Sequence, residues 1–251
     1  MNVIITNFGD DSIALIQWAH ELHLEDVRVL SVSTGWEADS WQARIQVGHQ
    51  WITSLGFTHE HLKPQATFSE NVLARKRFPS KKFHWCPSFL KGLAILDCLE
   101  KYDEEYEATI LLANRSDMVK NNIIEEFIEE HEHYDDRRVW MPLHNTCRKQ
   151  RDQLIQKTPF QPLNHRSLEC QPCIYNTIKD FQQLSDNDCQ RVVKLEEKIG
   201  APMFFPEDYE GAKSVSEIRA MFLKKEDNNT STHSYYKGFS SSCSWSYGCG
   251  L

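Results

Sequence analysis

The chain has 251 residues, 40% of them hydrophobic, and a formal net charge of −8. That is enough apolar material for one large domain or a domain with an appendage. The acidic balance excludes a protein that coats nucleic acid through a general basic surface, and leaves one local basic patch, Arg75-Lys76-Arg77 with Lys81-Lys82. No stretch reaches the ~20 apolar residues of a membrane helix, so no membrane partner is expected. The start Met1-Asn2-Val3-Ile4-Ile5-Thr6 lacks a basic n-region, so no signal peptide is expected. Eight cysteines without a secretion signal point to a reducing, cytoplasmic compartment, where thiols act as metal ligands or catalysts.

Residues 2–6 form an apolar, β-branched run that predicts a strand buried on both faces. A polar turn at 7–11 follows, then helical spacing from Ser12 to Ala19, a second strand at Val27 to Val32, and a second helix over 38–55 closed by Gly56. Strand alternating with helix means right-handed crossovers and a parallel sheet, so the predicted class is α/β, doubly wound, with helices on both faces. Segment 63–85, polar and basic with Pro64 and Pro79, reads as a long loop over the sheet's edge. Further on, the pattern predicts a helix over 88–102, a strand at 108–112, a helix over about 118–131 and a strand near 139–141. From about 145 the character changes to short helices around Cys170-Gln171-Pro172-Cys173, with a helix over 186–199. The expected organisation is an α/β domain at 1–144, a helical region at 145–226 packed on it, and a flexible Ser/Gly-rich tail at 227–251.

In a parallel sheet, ligands bind at the carboxyl ends of strands, where a helix N-terminus offers free backbone N–H groups to an anion. Asn7-Phe8-Gly9-Asp10-Asp11-Ser12 sits at such a point. Gly9 is expected to let the backbone approach a phosphate. Ser12 is expected to cap the helix and donate to a phosphate oxygen, and Asp11 to hold the turn or bind Mg²⁺. The alternative is an ordinary strand-to-helix turn with Asp and Ser as caps. A Walker loop is excluded by the missing Gly-Lys-Ser/Thr ending.

The loop resembles the Ser-Gly-Gly-x-Asp-Ser loop of the N-type ATP pyrophosphatases (PP-loop proteins), and more specifically that of the phosphoadenosine phosphosulfate (PAPS) reductase-like family. Gly9, Asp11 and Ser12 match, while Asn7 and Phe8 replace the first Ser and Gly. Ser33-Thr34-Gly35-Trp36-Glu37 resembles the family's Asp-Thr-Gly segment, with Ser33 for Asp. Trp85-Cys86-Pro87-Ser88-Phe89-Leu90-Lys91 is similar to its Cys … Leu/Arg-Lys segment. Ala113-Asn114-Arg115-Ser116-Asp117 resembles its Gly-x-Arg-x-x-Glu segment without the Gly and Glu, and Pro162-Leu163 followed by Cys170-Gln171-Pro172-Cys173 its Pro-Leu … Cys-x-Pro-Cys segment. The five matches occur in the family's order across residues 1–205. The resemblance implies a five-stranded, mostly parallel sheet and an adenine nucleotide ligand, either ATP with Mg²⁺ or an adenylyl sulfate. It places Asn7, Gly9, Asp11, Ser12, Thr34 and Gly35 at the nucleotide, and Lys91 and Arg115 at its phosphate or sulfate. Either cation is otherwise a solvated surface charge.

Cys170-x-x-Cys173 can hold one metal ion or cluster if other ligands arrive from elsewhere. The resemblance places Cys86 beside the nucleotide pocket as the third ligand and implies a [4Fe–4S] cluster, with Zn²⁺ or plain buried thiols as alternatives. Cys189 or Cys147 is the candidate fourth ligand, and an open iron site is a further possibility. Cys98 on the helix 88–102 is read as core. Trp36 and Trp41 stack on adenine or pack in the core.

The expected function is therefore adenylyl transfer from ATP with release of pyrophosphate, activating a second substrate for sulfur or nitrogen transfer. That substrate is a small molecule or a nucleic-acid base. Two rivals remain: a reductase that uses Cys249 of the tail, and a nucleotide-binding or interaction protein without catalysis.

Overall fold

The computed structural model describes residues 1–116 and 125–226. The strands β1 (Asn2–Thr6), β2 (Val27–Val32), β3 (Thr58–Leu62), β4 (Thr109–Leu111), β5 (Phe127–His131) and β6 (Arg137–Trp140) form one sheet in the order β3-β2-β1-β4-β6-β5. All neighbours are parallel except β5, which runs antiparallel to β6 at the edge. The α/β class and the mostly parallel sheet are as the sequence predicts, and the strand count is six rather than five.

The side chains of β1 alternate between two cores, as the pleat requires. Ile4 faces α1 (Asp10–Glu21), α2 (Trp41–Ser54) and α5 (Arg148–Ile155). Val3 and Ile5 face α4 (Leu93–Tyr102), which continues a π-helical turn at Ser88–Gly92. Cys98 lies in this second core. A third core joins Trp36, Phe68 and Trp85 to α6 (Ile178–Gln182), α7 (Asp186–Ile199) and α8 (Val215–Glu226). None of the described helices is long and apolar enough to cross a membrane.

Two expectations are corrected, and one strand, β3, has no counterpart in the sequence pattern. Segment 63–85 is not all loop, because α3 (Phe68–Arg75) starts at Thr67, whose side chain and Glu70 form a reciprocal capping box. Thr67-x-x-Glu70 is the local sequence pattern that starts this helix. β3 has the sequence Thr-His-Glu-His-Leu and lacks a buried face, being half-exposed at the sheet's edge, so it shows no apolar pattern. Of the predicted helix 118–131, residues 118–124 lie outside the described residues and 127–131 are the edge strand β5, whose Glu129 and Glu130 are exposed.

Behind the turn that follows β1, Phe8 is buried on the helix α2 at Gly48. A Cβ at Gly48 would lie 2.1 Å from the Phe8 ring, so the helix keeps a glycine there to admit the ring. His49 and His59 flank the same ring, at centroid distances of 5.5 and 6.3 Å, and lie 4.0 Å from each other. The Ser31 hydroxyl bridges His59 Nε2 (3.1 Å) and His61 Nδ1 (2.8 Å).

Gly48→Ala is expected to lower stability by about 1–3 kcal/mol in urea unfolding, overpacking outweighing the better helix propensity of alanine. An unchanged or raised midpoint would show that Phe8 has room to move.

Burial, reinforced by the neighbouring imidazoles, pushes His49 and His59 down to about 4. A depressed folded-state value means that protonation favours the unfolded chain, so stability is full above the ordinary histidine value of about 6.5 and falls as pH drops towards 4. The melting temperature should decline across that window, and His49→Gln with His59→Gln should flatten the decline. A parallel profile in the double variant would remove these histidines as the cause.

Candidate functional site

The sheet reverses its strand order between β1 and β4, which makes their carboxyl ends the switch point at which ligands of such sheets bind. The turn after β1 is tied by its own side chains. Thr6 Oγ1 accepts from the Phe8 amide (2.9 Å) and Asn7 Oδ1 from the Gly9 amide (2.8 Å). The Ser12 hydroxyl lies 3.2 Å from Asn7 Oδ1 and 3.1 Å from the Gly9 carbonyl, and accepts from Thr6 Oγ1 at 2.9 Å. Trp41 Nε1 donates to the Asn7 carbonyl and Arg44 Nε to that of Phe8.

Two details of the predicted turn change. The left-handed residue is Phe8, at φ 58°, whereas Gly9 has φ −73°, which any residue adopts. Gly9 is needed for space instead, because a Cβ there would stand 2.9 Å from Asn7 Oδ1. The cap of α1 is also Gly9 rather than Ser12, which belongs to the helix's first turn. The burial of Phe8 in the α2 groove offsets its backbone strain.

The first turn of α1 is a charge network. Asp11 accepts from Arg115 Nε at 2.9 Å and lies 3.5 Å from Arg151. Asp10 accepts from the Leu163 amide and stands 3.4 Å from both Arg44 and Arg151. Burial raises both aspartates above the ordinary carboxylate value, against the arginines' pull. Arg115, predicted from sequence, is only 4% exposed and also donates to the Thr146 carbonyl. Lys91, also 4% exposed, pairs with Glu169 at 2.5 Å, and Asn7 Nδ2 donates to the same carboxylate at 3.0 Å. Neither cation is a solvated surface charge. No sequence signal marked Arg44, Arg151 or Glu169, because each reaches the turn only through tertiary packing.

Thr34 and Gly35 lie on the turn after β2. Thr34 Oγ1 donates to the Glu169 carbonyl (2.8 Å) and accepts from the Trp36 amide (3.1 Å), while the Thr34 amide donates to Glu37. Gly35 has φ +67°, and a Cβ there would meet Thr67 at 2.9 Å, so glycine is required twice over. The cysteine-bearing segment runs along this turn, with the Ala38 amide on the Leu168 carbonyl (3.0 Å), the Gln171 amide on that of Trp36 (2.9 Å), and Trp36 Nε1 on that of Pro172 (2.9 Å). Trp36 stacks on Phe68 (4.5 Å) under Arg191, and Trp41 is buried, so both tryptophans are core residues.

Cys170 and Cys173 are free thiols joined by a hydrogen bond, with Cys86 and Arg166 close by. That bond, burial and the other two sulfurs push the Cys170 thiol well above its ordinary value. Cys189 shares the third core with Cys86 and Cys173 but has its thiol on Ser216 and Arg219, and Cys147 is exposed at the start of α5. Cys189 is not among the groups that act on the Cys170 thiol, whereas Cys173 and Cys86 are. Among the described residues no three His, Cys, Asp or Glu side chains stand as a metal-holding group. Cys249 lies outside the described residues.

No family model matches the sequence, and no curated protein matches it. Among solved structures, the chain is similar to the phosphoadenylyl-sulfate (PAPS) reductase of Candida auris in its phosphate complex, at 16% identity and a TM-score of 0.44, over 64% of this chain and 74% of that one. It is also similar to the U34-tRNA thiolase NcsA of Methanococcus maripaludis, solved with its [4Fe–4S] cluster, at 10% identity and a TM-score of 0.44, over 91% of this chain and 73% of that one.

Arg115→Met leaves Asp11 buried with Arg151 as its remaining partner, and is expected to cost about 3 kcal/mol. Asp11→Asn in the same chain should restore much of that loss. Additive losses in this cycle would mean that the pair is not coupled.

Proposed function

We propose that the chain is an adenine-nucleotide-binding enzyme of the PP-loop type that activates a second substrate, a small molecule or a nucleic-acid base, by adenylyl transfer from ATP with Mg²⁺. The observation that carries this reading is the meeting of two buried cations, Lys91 and Arg115, with the turn 7–12 at the sheet's switch point. Attack at the α-phosphorus of ATP needs charge neutralisation and positioning more than a protein nucleophile. Lys91 and Arg115 supply the neutralising charge, the amides of the first turn of α1 and the Ser12 hydroxyl supply donors, and Asp11 sets the direction of Arg115. Thr34 and Gly35 hold the neighbouring wall. Pyrophosphate leaves, and sulfur or nitrogen displaces AMP from the activated substrate.

Cys86, Cys170 and Cys173 are the candidate ligands of an iron–sulfur cluster, with Zn²⁺ as the alternative. Metal uptake must deprotonate the Cys170–Cys173 pair and draw Cys86 towards it, since ligating sulfurs are thiolates. Cys189 is not part of this proposal, because its thiol is engaged elsewhere.

ATP with Mg²⁺, or an adenylyl sulfate, should raise the melting temperature by binding the native state preferentially. Ser12→Ala should abolish the shift and leave the unliganded melting temperature within a few degrees. Equal shifts in both proteins would take Ser12 out of the site, and no shift with any adenine nucleotide would end the nucleotide reading. Anaerobically purified protein should contain iron and sulfide, lost in Cys86→Ser, Cys170→Ser and Cys173→Ser and kept in Cys189→Ser. Stoichiometric zinc without iron would replace the cluster.

A further inference from the structure

Glu169 holds a position that neither the motifs nor the fold assign to it. Its carboxylate uses both oxygens at the end of β1: Oε1 accepts from Asn7 Nδ2 at 3.0 Å, and Oε2 lies 2.5 Å from Lys91 Nζ. Glu169 is 6% exposed, and Asn7 and Lys91 are equally buried, so the three form an enclosed anion subsite with an anion already in it. That anion comes from a residue 162 positions away in sequence from Asn7.

We propose that Glu169 is an intramolecular place-holder, its carboxylate standing where a phosphoryl group of the nucleotide binds, between Lys91 and Asn7. This rests on the nucleotide reading above and adds how the site is kept without ligand and which ligands enter it. A buried ammonium without a counter-charge is strongly destabilising, so the ligand-free chain supplies one of its own. A carboxylate and a phosphoryl group present the same kind of acceptor oxygens to a lysine and an amide donor. Once a phosphoryl group is in place, the carboxylate is surplus and repelled, and its side chain turns away from Lys91.

The backbone does not follow that turn. The Glu169 carbonyl is held by Thr34 Oγ1, and the flanking Leu168 and Gln171 are hydrogen-bonded to Ala38 and Trp36. Exchange is thus a side-chain event beside Cys170, with the cysteine segment kept in register. The device also selects its ligand. An entering group must outbid a carboxylate already in contact with Lys91, which favours the multiple charge of a phosphate chain over a singly charged anion.

The test is calorimetric titration of the full chain with inorganic pyrophosphate. Glu169→Gln keeps an acceptor for Asn7 and removes the competing charge, so it should bind pyrophosphate about tenfold more tightly than wild type, equivalent to about 1.4 kcal/mol. Lys91→Met added to that variant should erase the gain. Should Glu169→Gln not melt cooperatively, Glu169→Asp, too short to span Lys91 and Asn7 together, should show a smaller gain in the same direction. Affinity equal to or weaker than wild type in the folded variants overturns the place-holder, as does pyrophosphate binding to none of them. ATP with Mg²⁺ in the same cell separates the two ideas. If pyrophosphate gains affinity in Glu169→Gln but ATP binds no better than pyrophosphate, the place-holder stands and the adenine reading falls.

Discussion

Ionised side chains taken out of water must be matched by opposite charge or hydrogen bonds, and the region around the β1 turn is organised by that requirement. Asp10, Asp11 and Glu169 face Arg115, Arg151 and Lys91 within the protein's interior, and Asp10 also faces the partly buried Arg44. These partners come from α2, the segment after β4, α5, the π-helical turn before α4, and the cysteine segment. The pairs of Asp10 and Asp11 each fix one element against the first turn of α1, and Lys91–Glu169 ties the π-helical turn to the cysteine segment. Burial raises Asp10 and Asp11 even with the arginines present, so this arrangement costs stability that the apolar cores must offset. Natural sequences accept such a cost where the charges have work beyond folding, which is the physical ground for a candidate functional site here.

The sheet supplies the geometry that the charges use. Because β4 pairs with β1 on the side opposite β2, the turns after β1 and β4 open next to each other, and Asp11 and Arg115 meet across the gap. The cysteine segment is then laid along the turn after β2 by three backbone carbonyls and the Trp36 indole. Glu169, one residue before Cys170, closes the circuit by reaching Asn7 and Lys91. Charge, sheet topology and thiols are in this way held in one frame, with the third apolar core, built on Trp36, Phe68 and Phe181, packed beneath it.

Much of the fold is legible in the sequence where burial is two-sided and local. β1, β2 and β4 are apolar runs, and α7 carries a Ser185 capping box and ends at a left-handed Gly200. Besides α3, the elements without a sequence signal are the strands at the sheet's edges. β3 is half-exposed and lined with histidines, and β5 carries glutamates that mimic a charged helix face. An edge strand has one neighbour and a wet face, so neither period two nor continuous hydrophobicity marks it.

By itself, the sequence determined the α/β class, the placement of a turn carrying Gly9, Asp11 and Ser12 after the first strand, and the pairing of Cys170 with Cys173, because these depend on neighbours within a few residues. Tertiary structure decided the rest. Phe8, not Gly9, takes the left-handed backbone, because its ring has the Gly48 groove to fill. Cys189, in the same core as Cys173, gives its thiol to Ser216 and Arg219, because α7 turns it towards α8. Glu169 becomes the counter-charge of Lys91 across 78 positions, a distance at which no local pattern operates. Charge pairing in a buried site is set by which elements the sheet brings together, and that information is spread over the whole chain.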